Sequence, residues 1–396
     1  MKKKSLALLL FISALALVLV FLIPTFKSQL SDVQQAQASA PTTVSAITAK
    51  PAAQKTPKPA KTPVKTPKPT KKPTPKPTDV KITISAAGDC TLGSDPKSPV
   101  SVNFYSVYNK VKDNSYFFKK VKRLFAKDDM TLVNFEGTLT KSSTPAIKTF
   151  TFKGNPSYVN ILKKGSIEAV SFANNHCRDY GEISYSDTRK TLRKAGIRFA
   201  SYSTVTTYKV KGKKIGMVAV NGLEGVSYSQ QLISDGIKKL KKKKADIIIV
   251  SMHVGVEHTS VLNDSQKILA HYAVDKGADL VLGHHPHVLQ GIEKYKGVNI
   301  VYSLGNFCFG GNTNPTDKDT MIFQQTFVFR NGKLKLSKSA GKVVPCSISS
   351  VSYINNYQPK ILKGSKRTRI LKKINSYSSP LGVRVNKKGI VTKKKK

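Results

Sequence analysis

Leu280-Val281-Leu282-Gly283 runs directly into His284-His285-Pro286-His287. A short apolar run that stops in histidines reads as a buried strand ending at a polar site. The same join recurs along the chain. Ile248-Ile-Val-Ser-Met252 leads to His253-Val-Gly-Val-Glu257-His258, and Val170-Ser-Phe-Ala173 leads to Asn174-Asn175-His176. Leu132-Val133-Asn134-Phe135 is followed by Glu136, Ile82–Gly88 by Asp89, and Val301–Gly305 by Asn306. In an α/β sheet the carboxyl ends of the parallel strands line the ligand crevice. These separate segments can therefore deliver Asp, Glu, Asn and His to one place. All seven histidines lie between residues 176 and 287, which concentrates the signal further.

Working outward, apolar β-branched runs predict strands over 80–87, 130–135, 167–172, 215–220, 247–252, 279–282 and 298–304. Helical spacing appears between them: Phe117, Val121, Leu124 and Phe125 share one face, and Leu262, Ile268, Leu269, Tyr272 and Ala273 roughly share another. Asn331-Gly332 between 322–329 and 334–336 predicts a hairpin with a type I′ turn. Alternating elements with an antiparallel finish give an α/β fold with mixed sheets, placed in one domain at 79–346. Residues 347–396 read as a basic extension with one short helix near 368–374.

Imidazole combined with carboxylate and amide oxygen suits Zn, Mn or Fe better than Mg or Ca. In an extended stretch, residues i and i+2 point the same way, so His285 and His287 are expected to reach one cluster together. Cys90, Cys177 and Cys308 sit beside the motifs without zinc-site spacing and are read as small apolar fillers. Four cysteines in 396 residues exclude a disulfide-built scaffold.

The first 78 residues have a different composition. Lys2-Lys3-Lys4 precedes an apolar run, Leu6 to Ile23, long enough to approach the thickness of a bilayer. Its flanking charge keeps the N-terminus inside and sends the rest out. The segment 1–40 is read as an uncleaved single-pass anchor, with the domain extracytoplasmic. The alternative is a signal peptide cut at Ala36-Gln37-Ala38 or Ala38-Ser39-Ala40, which secretes the domain. Residues 41–78 hold ten of the twenty prolines and nine lysines with no acid, the composition of an extended linker.

The formal net charge is +45, of which the linker and anchor explain little: residues 1–79 carry 13 Lys and 2 Asp, leaving +34 on the rest. An acidic, solvating protein is excluded, and a polyanionic neighbour is expected. The chain shows no helix-turn-helix, zinc-finger or RNP-like pattern, so nucleic acid is not expected. The better partners are the phospholipid head groups of the membrane surface and an anionic envelope polymer such as teichoic acid or an acidic capsule polymer.

Gly88-Asp89, Asn134-Phe-Glu136-Gly, Asn174-Asn175-His176 with Asp179-Tyr180-Gly181, His253-x-Gly-x-Glu257, His285-Pro286-His287-Val and Ser303-Leu-Gly-Asn306-Phe together resemble the CapA family, named for bacterial poly-γ-glutamate capsule synthesis. The resemblance covers roughly 80–346. It implies a calcineurin-like metallophosphatase fold, a sandwich of two mixed β-sheets flanked by helices, and a place in capsule synthesis, with a capsule synthesis complex as an expected partner. Carried over motif by motif, it implies one or two divalent metal ions. Asp89 and His287 belong to a first site, Glu136 bridges, and Asn175, His253 and His285 complete a second. His176 is implied as the catalytic acid, while Asn134, Asn174, Asp179, Glu257, His284 and Asn306 fall to substrate or supporting roles. Two departures stand out. Thr91 occupies the position of a first-motif His, and the bridging acid is Glu136 where metallophosphatases use Asp. Val254 also replaces an aromatic common in the family. Two functions follow: a metal-dependent hydrolase acting on an envelope polymer, or a non-catalytic accessory protein that binds and guides that polymer. A purely structural wall-spanning role leaves the six motifs unexplained.

Overall fold

β1 (Asp79–Thr91) pairs on one side with β2 (Met130–Phe135) in parallel and on the other with the long β12 (Asp319–Arg330) antiparallel. The computed structural model describes residues 79–394; the Leu6–Ile23 run and the 41–78 linker lie outside them. From β2 the sheet continues in parallel through β3 (Ala169–Ser171) to β4 (Arg198–Ala200). From β12 it continues antiparallel through β13 (Ala340–Ser347) to a closing hairpin, β14 (Val383–Val385) and β15 (Ile390–Lys393). With β11 (Asn306–Phe309) beside β1 and two short strands, this sheet has eleven strands.

A second, six-stranded sheet runs β9-β10-β8-β7-β6-β5. Here β5 is Thr206–Val210, β6 Lys213–Asn221, β7 Ile247–His253, β8 Leu280–His284, β9 Ile292–Tyr295 and β10 Val298–Val301. The inner four are parallel and the two edge strands antiparallel. Every residue of β2, β7 and β8 is buried, as the uninterrupted apolar runs require. Helices flank the sheets: α1 (Phe104–Val111), α2 (Gly181–Lys194), α3 (Val226–Lys242), α4 (Asp264–Lys276) and α5 (Gly364–Ser378). One apolar core joins the two sheets.

The strands expected from sequence are present within a few residues, and the Asn331-Gly332 turn has both residues in the left-handed region, at φ 51° and 78°. Around Phe117 only Lys122–Phe125 closes as α-helix, and the turn-rich 114–121 stretch buries Phe117 and Phe118 without a regular helix. In α4 the apolar stripe is narrower than its spacing implied, with Leu269 and Ala273 buried and Ile268 exposed. Residues 347–396, set apart in the sequence as an extension, are built into the large sheet as far as they are described, through the short strand Lys360–Ile361, β14 and β15, with α5 packed on it. The helix is also longer than the 368–374 its sequence suggests. No helix among the described residues is long and apolar enough to cross a membrane.

Four acids fix the amino ends of the parallel strands. Asp129, Glu168, Asp246 and Asp279 each immediately precede a strand, and each carboxylate accepts the backbone N–H of the neighbouring strand at 2.7–2.9 Å. Each also donates its own N–H to that neighbour's carbonyl. The first amide of a parallel pair has no partner in the ladder, so a carboxylate is the natural substitute.

Candidate metal centre

The carboxyl ends of both sheets' parallel strands converge. Asp89 lies near the end of β1, Glu136 just after β2, and Asn174-Asn175-His176 after β3. His253 and His284 are the last residues of β7 and β8 and are paired in register. Gly88 makes the approach of β11 possible. A Cβ there would lie 1.7 Å from the Gly305 carbonyl oxygen, and Asp89 donates its N–H to that oxygen.

Asn134 is the hub. Its Nδ2 lies 2.9 Å from Asp89 Oδ1, 3.2 Å from Glu136 Oε2 and 3.3 Å from His253 Nδ1. Asn174 holds it in place, donating to Asn134 Oδ1 and to the Phe135 carbonyl. His253 presents Nε2 to Asn175 Oδ1 at 2.8 Å and lies 3.9 Å from Glu136 Oε1. His287 donates from Nδ1 to Asn306 Oδ1 at 2.9 Å, which leaves its Nε2 3.7 Å from Glu136 Oε1. The rings of His253 and His285 are 4.8 Å apart, and those of His285 and His287 5.9 Å. All six residues expected as metal ligands therefore meet in one cluster.

His285 and His287 reach it by a different route from the one their spacing suggested. The segment is not extended: φ is 98° at His285 and 60° at His287. A non-glycine residue at such angles is strained, and strain of this kind persists where surrounding contacts hold it. The turn, not strand alternation, aims both rings inward. Thr91 donates its hydroxyl to the Glu136 carbonyl and supplies no imidazole nitrogen to the cluster. Cys90, Cys177 and Cys308 are free and buried, and burial pushes their thiols up, which fits apolar filling.

Buried polar atoms without a hydrogen bond collect here: Asp89 Oδ2, Glu136 Oε1, His285 Nδ1 and both ring nitrogens of His284. His284 Nδ1 is 3.2 Å from Asp89 Oδ1 but poorly aligned, and His287 Nδ1, 3.2 Å from Asp89 Oδ2, is directed at Asn306. Leaving such atoms unpaired costs about 1–3 kcal/mol each, and a divalent cation would satisfy several at once. Two sets have ligand atoms mutually within 4.8 Å: Asp89, Glu136 and His287, and Glu257, His285 and His287. The donor chemistry fits a divalent metal. Glu257, an exposed residue, thus stands nearer to ligand distance than its supporting role implied.

Burial and the neighbouring His285 push His253 well below the ordinary imidazole range, and burial with His287 lowers His285 to about 4. Both rings are neutral at pH 7 and so present a free ring-nitrogen lone pair. Burial raises Asp89, but the imidazoles of His284 and His287 outweigh it and hold the carboxyl well below its usual value. Glu136 goes the other way, raised by burial and by the Asp89 carboxylate. For His287 burial acts downward, yet Glu136 and Asp89 lift it to about 9.

His176 sits beside this cluster, its Nε2 4.0 Å from Glu136 Oε1. Its Nδ1 is 2.7 Å from Asp179 Oδ2, and burial lowers its pKa against the pull of Asp179. Lys148, which no motif pointed to, donates 2.8 Å bonds to Asp179 Oδ1 and to the Asn175 carbonyl. Phe152 stacks on the His176 ring at 4.2 Å. Lys148 had no sequence signal, being one of 67 basic residues in a loop without periodicity. A cavity of about 390 Å³ opens over the cluster, lined by Phe152, His176, Glu257, His287, Asn306 and Phe309 among others.

Residues 83–311 match the family model described as "Bacterial capsule synthesis protein PGA_cap". "PGA biosynthesis protein CapA" of Bacillus subtilis is 30% identical over 275 residues, covering 64% of this chain and 70% of that protein. "Capsule biosynthesis protein CapA" of Bacillus anthracis is 30% identical over 270 residues, covering 62% and 63%. A "Probable polyglutamine synthesis accessory protein" of Mycobacterium tuberculosis is 28% identical over 209 residues, covering 45% and 55%. The chain thus spans under two thirds of the length of the latter two. With a family model matching more than half its length over the segments that build the cluster, the chain belongs to the bacterial capsule synthesis protein family.

Proposed function

We propose that this protein acts outside the cell, anchored by Leu6–Ile23, in making or exporting a poly-γ-glutamate-type envelope polymer, and that it uses a metal-dependent hydrolase-type site to do so. The observation that carries the reading is the convergence of unpartnered, buried Asp89, Glu136 and His285 atoms beside a proton-handling histidine. Asp89, Glu136, Asn175, His253, His285 and His287 would hold the ion or ions, with Glu257 at the open side. A divalent metal there would supply Lewis acidity toward a phosphoryl or carbonyl oxygen.

The protein's own residues do the rest. Asp179 fixes the His176 ring, and Lys148 fixes Asp179. With Nδ1 directed at Asp179, Nε2 of His176 presents a lone pair to the cluster. It can accept a proton from an attacking water and return it to a leaving oxygen. Phe152 and Phe309 shield one side of the cavity from solvent.

Accessory binding is the second reading, favoured by +34 on residues 80–396 and by the missing first-motif imidazole at Thr91. Metal analysis of the full-length protein, with turnover of a chromogenic phosphodiester, separates the two. His253→Ala should lose both metal and turnover while keeping salt-sensitive polyglutamate binding. A wild-type protein that binds polymer but holds no metal and turns nothing over would leave the accessory reading standing.

A further inference from the structure

The chain carries no Asp or Glu beyond Asp319, yet its C-terminal layer is among its most basic parts. Two depressions, of about 460 and 550 Å³, lie between α5 and the β14–β15 hairpin. Both are lined by Asn375 and Arg384, so they adjoin and together make one basic groove. Its cations are Arg367, Lys372, Arg384, Lys387, Lys393 and Lys394. None of these six forms an ion pair among the described residues.

The groove is built, not incidental. Asn375 Oδ1 accepts the Val385 N–H at 2.9 Å and Arg367 donates to the Lys387 carbonyl at 2.7 Å, which staples the helix to the hairpin at two points. Beneath them Ile370, Leu371, Ile374, Val383, Val385 and Val391 are buried. Asp317 and Asp319, which the same helix reaches, are already paired: Arg369 and Lys373 bind Asp319, and Lys373 also binds Asp317. Those two cations connect α5 to the Asp317 loop, which lines the cavity over the metal centre. One helix therefore links the groove to that cavity.

We propose that this groove binds a linear polycarboxylate. Single-sign charge in a concave, low-dielectric setting focuses the field on a polyanion. Two other occupants fit less well. A nucleic acid strand wants aromatic stacking platforms, and no aromatic ring lines the groove. A membrane surface wants exposed apolar side chains to insert, and no large apolar residue from 354 onward is highly exposed among the described residues. The groove lies beyond residues 83–311, so nothing in the family match assigns it. The assignment rests on the reading that the protein works on a capsule-type polymer.

The test is binding of fluorescent poly-L-glutamate to the full-length protein at low salt. Lys372→Gln/Arg384→Gln/Lys387→Gln/Lys393→Gln should weaken binding about ten-fold or more, with a shallower salt dependence. Removing equal charge at Lys241 to Lys244 should change it little. Arg384→Gln alone should give a smaller loss in the same direction, and all four positions are exposed, so the melting temperature should hold. Equal losses in the two four-site variants would overturn the groove in favour of diffuse charge. Wild-type preference for polyphosphate or for anionic lipid vesicles over polyglutamate would overturn the polycarboxylate. The capsule reading fails separately, if deleting the gene leaves polymer production unchanged.

Discussion

Asn134 has two N–H bonds and three acceptors around it: two carboxylates and an imidazole nitrogen. Its position helps Asp89 and Glu136 to be buried side by side, since it places a neutral donor between them. Asn134→Leu keeps the volume and removes the donors, leaving Asp89 Oδ1 and Glu136 Oε2 without their shared partner. The metal-free protein should lose about 1–3 kcal/mol of stability. A divalent cation that binds the same carboxylates should recover much of this, so the gap in melting temperature between wild type and variant should narrow on adding Mn and widen with a chelator. A gap indifferent to metal would mean that Asn134 serves packing alone. The residues here that could be read from the sequence are those whose chemistry is unusual at a strand end, such as His253 and Asn175. Lys148 and Phe152 could not be read, because their roles come from where a loop folds back.

At the scale of elements, the acids of a strongly basic chain are placed at both ends of the parallel strands. At the carboxyl ends Asp89 and Glu136 face the candidate metal centre, and at the amino ends Asp129, Glu168, Asp246 and Asp279 hold the first amides. Asp279 is raised to about 6, chiefly by burial and against the Ile248 N–H that it accepts. The sign follows from proton linkage. Between about pH 4 and pH 6 the folded carboxyl keeps its proton while the unfolded one has lost it, so stability falls as pH rises through that window. Asp279→Asn keeps an oxygen for the Ile248 amide and removes the ionisation. Relative to wild type, the variant should gain stability from pH 4 to 6, by at most about 3 kcal/mol, and then plateau. Thermal melts across that range measure it, and a constant offset would show that Asp279 is not strained by its charge. Strands of this kind were legible because buried parallel strands are continuous apolar runs. β14, β15 and the Lys360–Ile361 strand were not, being two to four residues long and defined only by distant partners.

For the whole molecule, those short C-terminal elements decide whether the domain can stop where its motifs stop. Tyr357 is fully buried, packs its ring 5.3 Å from Phe104 and donates its hydroxyl to the Val102 carbonyl. Asn355 donates to the carbonyls of Phe309 and Asn312, which ties the segment to β11, the strand that presents Asn306 to His287. Ser378 accepts the Ile292 N–H, and β13 would lose β15 and the Lys360–Ile361 strand from its edge. Burying a large apolar side chain contributes roughly 1.5–3 kcal/mol, and truncation would remove the buried Tyr357, Ile370, Ile374, Val383 and Val391 together and uncover the core surface they pack on. That sum approaches the 5–15 kcal/mol, roughly, by which whole domains are stable. A chain ending at residue 346 should therefore fail to fold cooperatively, and its metal affinity should fall with it. A chain covering 79–394 should melt in one transition. Near-UV circular dichroism and thermal melts of the two would show the difference. A cooperative transition in the shorter chain would mean that the core between the two sheets is self-sufficient and that the C-terminal layer is an addition to it.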